Sequence, residues 1–154
     1  MTFLTNFCVK LFLKDGLIAA AALGDLKRVL TYIIEERVDV NASTTAFLIG
    51  EGITALHLSC VFGHLDVINA LIAAGADIDQ GNQYGKTPLY MASIQGRVDV
   101  VRALVEAGAD INMASPDDRC SPLFAASEEG HVEVVRILAE RGADINLSLI
   151  HISE

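Results

Sequence analysis

Positive charge is scarce in this chain. Eleven lysines and arginines stand against twenty aspartates and glutamates, leaving a formal charge of −9 over 154 residues. Ligands with a phosphate backbone are held by clustered Lys and Arg, so this balance argues against nucleic acid. It argues equally against an anionic membrane surface. Cysteine is as sparse: Cys8, Cys60 and Cys120 are odd in number and irregularly spaced. They do not make a disulfide framework and read as reduced thiols in a reducing compartment. A cytoplasmic chain is expected, and a nuclear one is compatible. No uninterrupted apolar run reaches the roughly 18–20 residues that spanning a bilayer requires. The opening "MTFLTNFCVKLFLKDG" is apolar. It has no basic residue ahead of the run, Lys10 interrupts it, and no cleavage site follows, so it makes a poor secretory signal. Phe3, Phe7 and Leu11 instead share one face of a short helix expected within residues 1–15.

What the chain has is repetition. "TALHLSCVFGHLDVINALIAAGADID" begins at Thr54, "TPLYMASIQGRVDVVRALVEAGADIN" at Thr87 and "SPLFAASEEGHVEVVRILAERGADIN" at Ser121. The closing glycines lie 33 residues apart from Gly75 to Gly108 and 34 from Gly108 to Gly142. A period of that size signals stacked units. Thr54, Thr87 and Ser121 can each cap a helix, and Pro88 and Pro122 suit the first helical position, where a missing N–H is harmless. Small residues follow, Ser59, Ala92, Ser93, Ala125 and Ala126, permitting close helix approach. Gly63, Gly96 or Gly130 then breaks the chain before a second helix.

In that second helix Val67, Ile68, Leu71 and Ile72 form an apolar stripe. Val100, Val101, Leu104 and Val105 repeat it, as do Val134, Val135, Ile137 and Leu138. One such helix pair buries too little apolar surface to offset its ordering entropy, so neighbours must stack. A degenerate copy, "LIAAAALGDLKRVLTYIIEERVDVN", precedes the three, with Gly24 between its helices and Arg37 where the closing glycine belongs. Asp39 to Thr54 is 15 residues whereas Asp77 to Thr87 is 10, so the intervening turn is expected to be longer.

The stretch "GKTPLYMASIQGRVDVVRALVEAGADIN" combines a turn glycine, Thr-Pro-Leu, an inter-helix glycine and Gly-Ala-Asp-Ile-Asn at fixed offsets. It resembles the ankyrin repeat, and the resemblance covers roughly residues 16–146. This implies an all-α solenoid of helix-turn-helix units with extended, hairpin-like turns. The expected organisation is an N-terminal segment over 1–15, a degenerate repeat over 16–51, repeats over 52–84, 85–117 and 118–146, and a tail over 147–154. The resemblance further implies a non-catalytic scaffold, not an enzyme, whose turn tips and first helices form a concave groove for a protein partner. There are departures from the family pattern. The family's histidine after Thr-Pro-Leu is kept as His57 but replaced by Tyr90 and Phe124, which predicts a more apolar seam at Phe124. Arg119 stands where Gly52 and Gly85 mark the turn in other units.

Several constellations could carry chemistry instead. Gly50-x-Gly52-x-x-Ala55 outlines a dinucleotide-binding turn, so a small-molecule, nucleotide or enzymatic site in the groove or near Gly50–Gly52 is the alternative reading. That fingerprint requires flanking strands, and repeat helices follow here. His57 and Cys60 share one face of a short helix and could be two metal ligands, but Tyr90 and Ser93 occupy the same places in the next unit. His64 and His131 occupy one slot two units apart with Arg97 between, which suggests capping and packing. Asp77, Asp110 and Asp144 recur at the repeat period and so read as turn residues rather than an acid–base set. Asn41-Ala42-Ser43 has the form of a glycosylation acceptor, meaningless without a secretory route. No metal or cofactor is expected.

Recurring letters build the stack, leaving the variable ones to address a partner. Matched to the family's partner-facing positions, the candidates are Ile53, Gln83, Tyr84, Lys86, Asp117 and Asp118 at the turn tips. Val61, Phe62, Ile94, Gln95, Glu128 and Glu129 follow along the first helices. The surface grades from apolar to acidic, which suits a partner with an apolar anchor and a basic flank. The chain itself is expected to be a monomer. The competing reading is that Phe62 and Tyr84 merely cover neighbouring units. After Asn146 the pattern stops at "LSLIHISE". Its back-translation, CTG TCT CTT ATA CAC ATC TCC GAG, resembles a sequencing-library adapter, so read-through in a truncated gene is expected. Val132, Val135 and Leu138 should then be less covered than their counterparts.

Overall fold

The computed structural model describes residues 16–44, 51–116 and 119–145. Among them are eight helices: α1 Gly16–Leu23, α2 Leu26–Ile34, α3 Ala55–Phe62, α4 Leu65–Ala73, α5 Pro88–Ile94, α6 Val98–Glu106, α7 Pro122–Glu128 and α8 Val132–Glu140. The described residues contain no strand, only an isolated antiparallel bridge between Ser43 and Thr54. None of the described helices is long and apolar enough to cross a membrane.

Each helix start follows from its local chemistry. The hydroxyls of Thr54, Thr87 and Ser121 accept bonds from the backbone N–H three residues on, of His57, Tyr90 and Phe124. Pro88 and Pro122 occupy the first turn as expected. In the degenerate first unit Asp25 does the same work for α2, accepting from the Arg28 N–H. Two non-glycine residues adopt positive φ, Arg37 at 50° and Arg119 at 53°. Both stand where other units carry glycine. At the position matching Arg119, Gly85 has φ 69°, and a β-carbon there would run into the Pro116 ring of the next turn.

Consecutive units are linked in two layers. The first helices α1, α3, α5 and α7 pack side by side, and the second helices α2, α4, α6 and α8 form a parallel row against them. Leu56, Leu89 and Leu123 of the first layer meet Val67, Ile68, Leu71, Val100, Val101, Leu104, Val134, Ile137 and Leu138 of the second in one continuous core. The last unit differs from those before it. Val132 is 75% exposed, whereas its counterparts Leu65 and Val98 are half-buried. Val135 is half-buried, while Ile68 and Val101 are fully buried. The expectation fails for Leu138, which is fully buried like Leu71 and Leu104. Its position faces its own unit and the core behind it, and needs no following neighbour.

Candidate functional site

Polar residues that recur along the chain are engaged in holding one unit to the next. In the slot after the inter-helix glycine, His64 Nε2 lies 3.1 Å from the Ala22 carbonyl of the preceding unit. Arg97 Nε donates to the Val61 carbonyl at 3.0 Å, and His131 Nε2 lies 3.1 Å from the Ile94 carbonyl. A carbonyl can only accept, so each imidazole presents Nε2–H. Histidine and arginine are interchangeable here because either supplies an N–H at the same reach. The distance between units keeps His64 and His131 apart.

A second ladder runs through the Asp-Ile-Asn turns. Asp77 N–H donates to Asn41 Oδ1 at 2.7 Å, Asp110 N–H to Asp79 Oδ1 at 2.9 Å, and Asp144 N–H to Asn112 Oδ1 at 2.7 Å. Asp39, Asp77 and Asp110 each accept from the N–H two residues further on. The aspartates are turn formers, one per unit. Asn41 is likewise committed to the ladder. Asp79 is the exception in kind, a carboxylate where the other units have asparagine. Partial burial, with the charges of Asp110 and Asp77, moves its carboxyl above the ordinary range; the Asp110 N–H only partly counters them.

His57 and Cys60 do not form a ligand pair. The His57 ring is fully buried, its Nδ1 3.2 Å from the Thr54 N–H in a reciprocal capping box and its Nε2 3.0 Å from the Lys86 carbonyl. Burial lowers its pKa, against a raising contribution from the bond to that carbonyl, and both ring nitrogens are occupied. Cys60 is wholly buried, and burial pushes its thiol far above the ordinary value. Neither group offers a lone pair to a metal or a nucleophile to a substrate. No cluster of three or more His, Cys, Asp or Glu among the described residues could hold an ion. At Gly52 the backbone forms a turn, its N–H donating to the Thr44 carbonyl at 2.8 Å; Gly50 lies outside the described residues.

The variable residues distribute unevenly. Ile53 is a correction. Rather than standing at an exposed turn tip it is only 3% exposed, and its carbonyl takes the Thr44 N–H at 2.8 Å. Gln83 and Tyr84 do stand at a tip, Tyr84 54% exposed. Gln83 N–H reaches across to the Glu51 carbonyl of the preceding turn at 3.0 Å. Lys86 is half-buried, with Nζ 4.2 Å above the Tyr90 ring. Asp117 and Asp118 lie outside the described residues.

At the ends of the first helices Val61 and Phe62 are half-buried, the Phe62 ring 6.1 Å from that of His64. Ile94 is half-buried and Gln95 exposed. Glu128 and Glu129 are exposed and make no ion pair among the described residues. One surface residue escaped the sequence reading. Leu23, 40% exposed, precedes Gly24 as Phe62 precedes Gly63, so the same offset locates it. The alanine-rich degeneracy of α1 hid the match.

Comparison with known families agrees with this architecture. A model of ankyrin repeats in three copies matches residues 17–115, and a single ankyrin-repeat model matches residues 118–148. No curated protein sequence matches the chain.

Proposed function

The chain belongs to the ankyrin-repeat family, and from that premise we propose that it is a non-catalytic module that binds a protein partner. Binding uses the turn tips and the ends of the first helices, the concave side of such a stack. One observation carries the reading. The recurring polar residues are consumed inside the stack as caps and inter-unit bonds, while Phe62, Tyr84, Gln95, Glu128 and Glu129 leave their side chains partly or wholly at the surface. Aromatic anchors within a polar surround are the usual make-up of an energetically dominant interface centre. The partner this surface suits has an apolar anchor flanked by Lys or Arg, and the chain engages it as a monomer.

The test is retention from a cell extract on immobilised wild type and on a Phe62→Ala/Tyr84→Ala variant, read by mass spectrometry. Wild type should hold a protein that the variant releases, with helical circular dichroism and melting temperature unchanged. Equal retention by both would remove this surface from consideration. Loss of helix in the variant would show that the two rings serve the stack.

A further inference from the structure

Four first helices, laid side by side, place one residue per unit in each surface column. The column just before the inter-helix glycine reads Leu23, Phe62, Gln95, Glu129; the column before that reads Ala22, which is buried, then Val61, Ile94 and Glu128. The first two units present only apolar side chains, the third pairs apolar Ile94 with uncharged Gln95, and the fourth carries two exposed carboxylates without ion-pair partners among the described residues. Both carboxylates sit at the last turn and C-cap of α7, the helix end where the macrodipole disfavours anions. Local helix stability does not account for them.

The cations near the apolar end matter as much. Arg97 lies against Gly63 and the Val61 carbonyl, and Lys86 lies over Tyr90 in the same middle stretch. A basic partner residue placed beside the Phe62 end meets the Arg97 guanidinium. Within these two columns the carboxylates stand in the last unit.

Resting on the protein-binding reading above, we infer that the partner is a single polypeptide segment lying along the stack in one direction. Its apolar anchor sits over Leu23 and Phe62, and its Lys or Arg residues sit over Glu128 and Glu129. Neighbouring helices pack about 8–10 Å apart, so Phe62 and Glu129, two units apart, are separated by roughly 16–20 Å. An extended segment spans that in about five or six residues at 3.3 Å each. A helical one needs about eleven to thirteen at 1.5 Å each. The apolar end supplies affinity; the charged end fixes direction and speeds association.

The experiment selects phage-displayed random 20-residue peptides on the full chain and measures synthetic versions by fluorescence anisotropy. Selected peptides should place Lys or Arg at one of the two spacings from an apolar residue. Their affinity should fall about tenfold in Glu128→Lys/Glu129→Lys, and should weaken with salt. Glu35→Lys/Glu140→Lys, the same charge change at exposed ends of the second helices α2 and α8, should have little effect. Because Glu128 and Glu129 are exposed, the charge variant tests the idea even if Phe62→Ala unfolds.

Peptides without basic residues, an empty selection, or equal losses from Glu35→Lys/Glu140→Lys and Glu128→Lys/Glu129→Lys would each overturn the inference. If binding responds to Phe62→Ala but not to the Glu variants, the oriented segment is wrong and the binding surface stands. Binding indifferent to Phe62, Tyr84 and the glutamates alike refutes the surface itself.

Discussion

The second helices of the last two units, α6 and α8, are written in nearly the same letters, VDVVRALVE and VEVVRILAE. They live in different surroundings. Val101 is fully buried and Val135 only half; Val98 is half-buried and Val132 three-quarters exposed. The apolar stripe of a repeat helix thus has two parts. One part faces its own unit and the core behind it and is covered in every unit. The other is covered only by the unit that follows. Identical side chains contribute very different amounts to stability according to which neighbour is present.

That contrast can be broken most sharply by truncation. Leu104→Ala, at a fully buried position, should cost about 2–5 kcal/mol in urea unfolding. Leu138→Ala should cost as much, since that leucine is also fully buried in the last unit. Val132→Ala, on the uncovered side, should stay within about 0.5 kcal/mol. A large loss at Val132, or none at Leu138, would refute the two-part stripe.

The bonds between units give the next largest effect. His57→Ala removes a capping box and takes the imidazole from the half-buried Lys86 carbonyl, which keeps the Asn82 N–H. The expected cost is about 1–3 kcal/mol. Melting of this variant tests whether the His57 link is as important as its burial suggests; an unchanged midpoint would show that it is not. Phe124, where an apolar seam is expected, is half-buried.

The smallest effect separates one rung of the turn ladder from its neighbours. Ionised Asp79 sits near Asp77 and Asp110, and its folded pKa is raised, so its ionisation opposes folding. Stability linked to it is fully present below the ordinary carboxylate pKa and is lost as pH rises through the raised folded value. Asp79→Asn keeps the oxygen that receives the Asp110 N–H, as Asn41 and Asn112 do for their neighbours. The variant should melt slightly higher than wild type at neutral pH, and the gap should close in acid. A gap that persists at low pH would show the cause is not charge.

Much of the architecture was legible because it rests on short-range chemistry. Thr54, Thr87 and Ser121 announce caps, Pro88 and Pro122 announce first turns, and the valine and leucine stripes announce buried faces. Phe62, Tyr84, Gln95, Glu128 and Glu129 were nominated by matching the family's partner-facing positions, and each is partly or wholly exposed. Ile53 was misplaced for a physical reason. It is buried beside Thr44, whose N–H its carbonyl accepts, and no repeat-period pattern encodes that pairing. The role of Arg97 was equally hidden, since nothing in the slot shared with His64 and His131 states that the residue reaches back to a carbonyl in the preceding unit.

The sequence by itself determined which residues start, stop and pair the helices, because capping, proline and apolar periodicity act within a few residues of one another. Only the tertiary structure decided which half of each apolar stripe stays dry, which N–H groups bind across units, and that Ile53 turns inward while Leu23 stays at the surface. The bonds across units join groups some 30 or more residues apart in the chain that packing alone brings into contact.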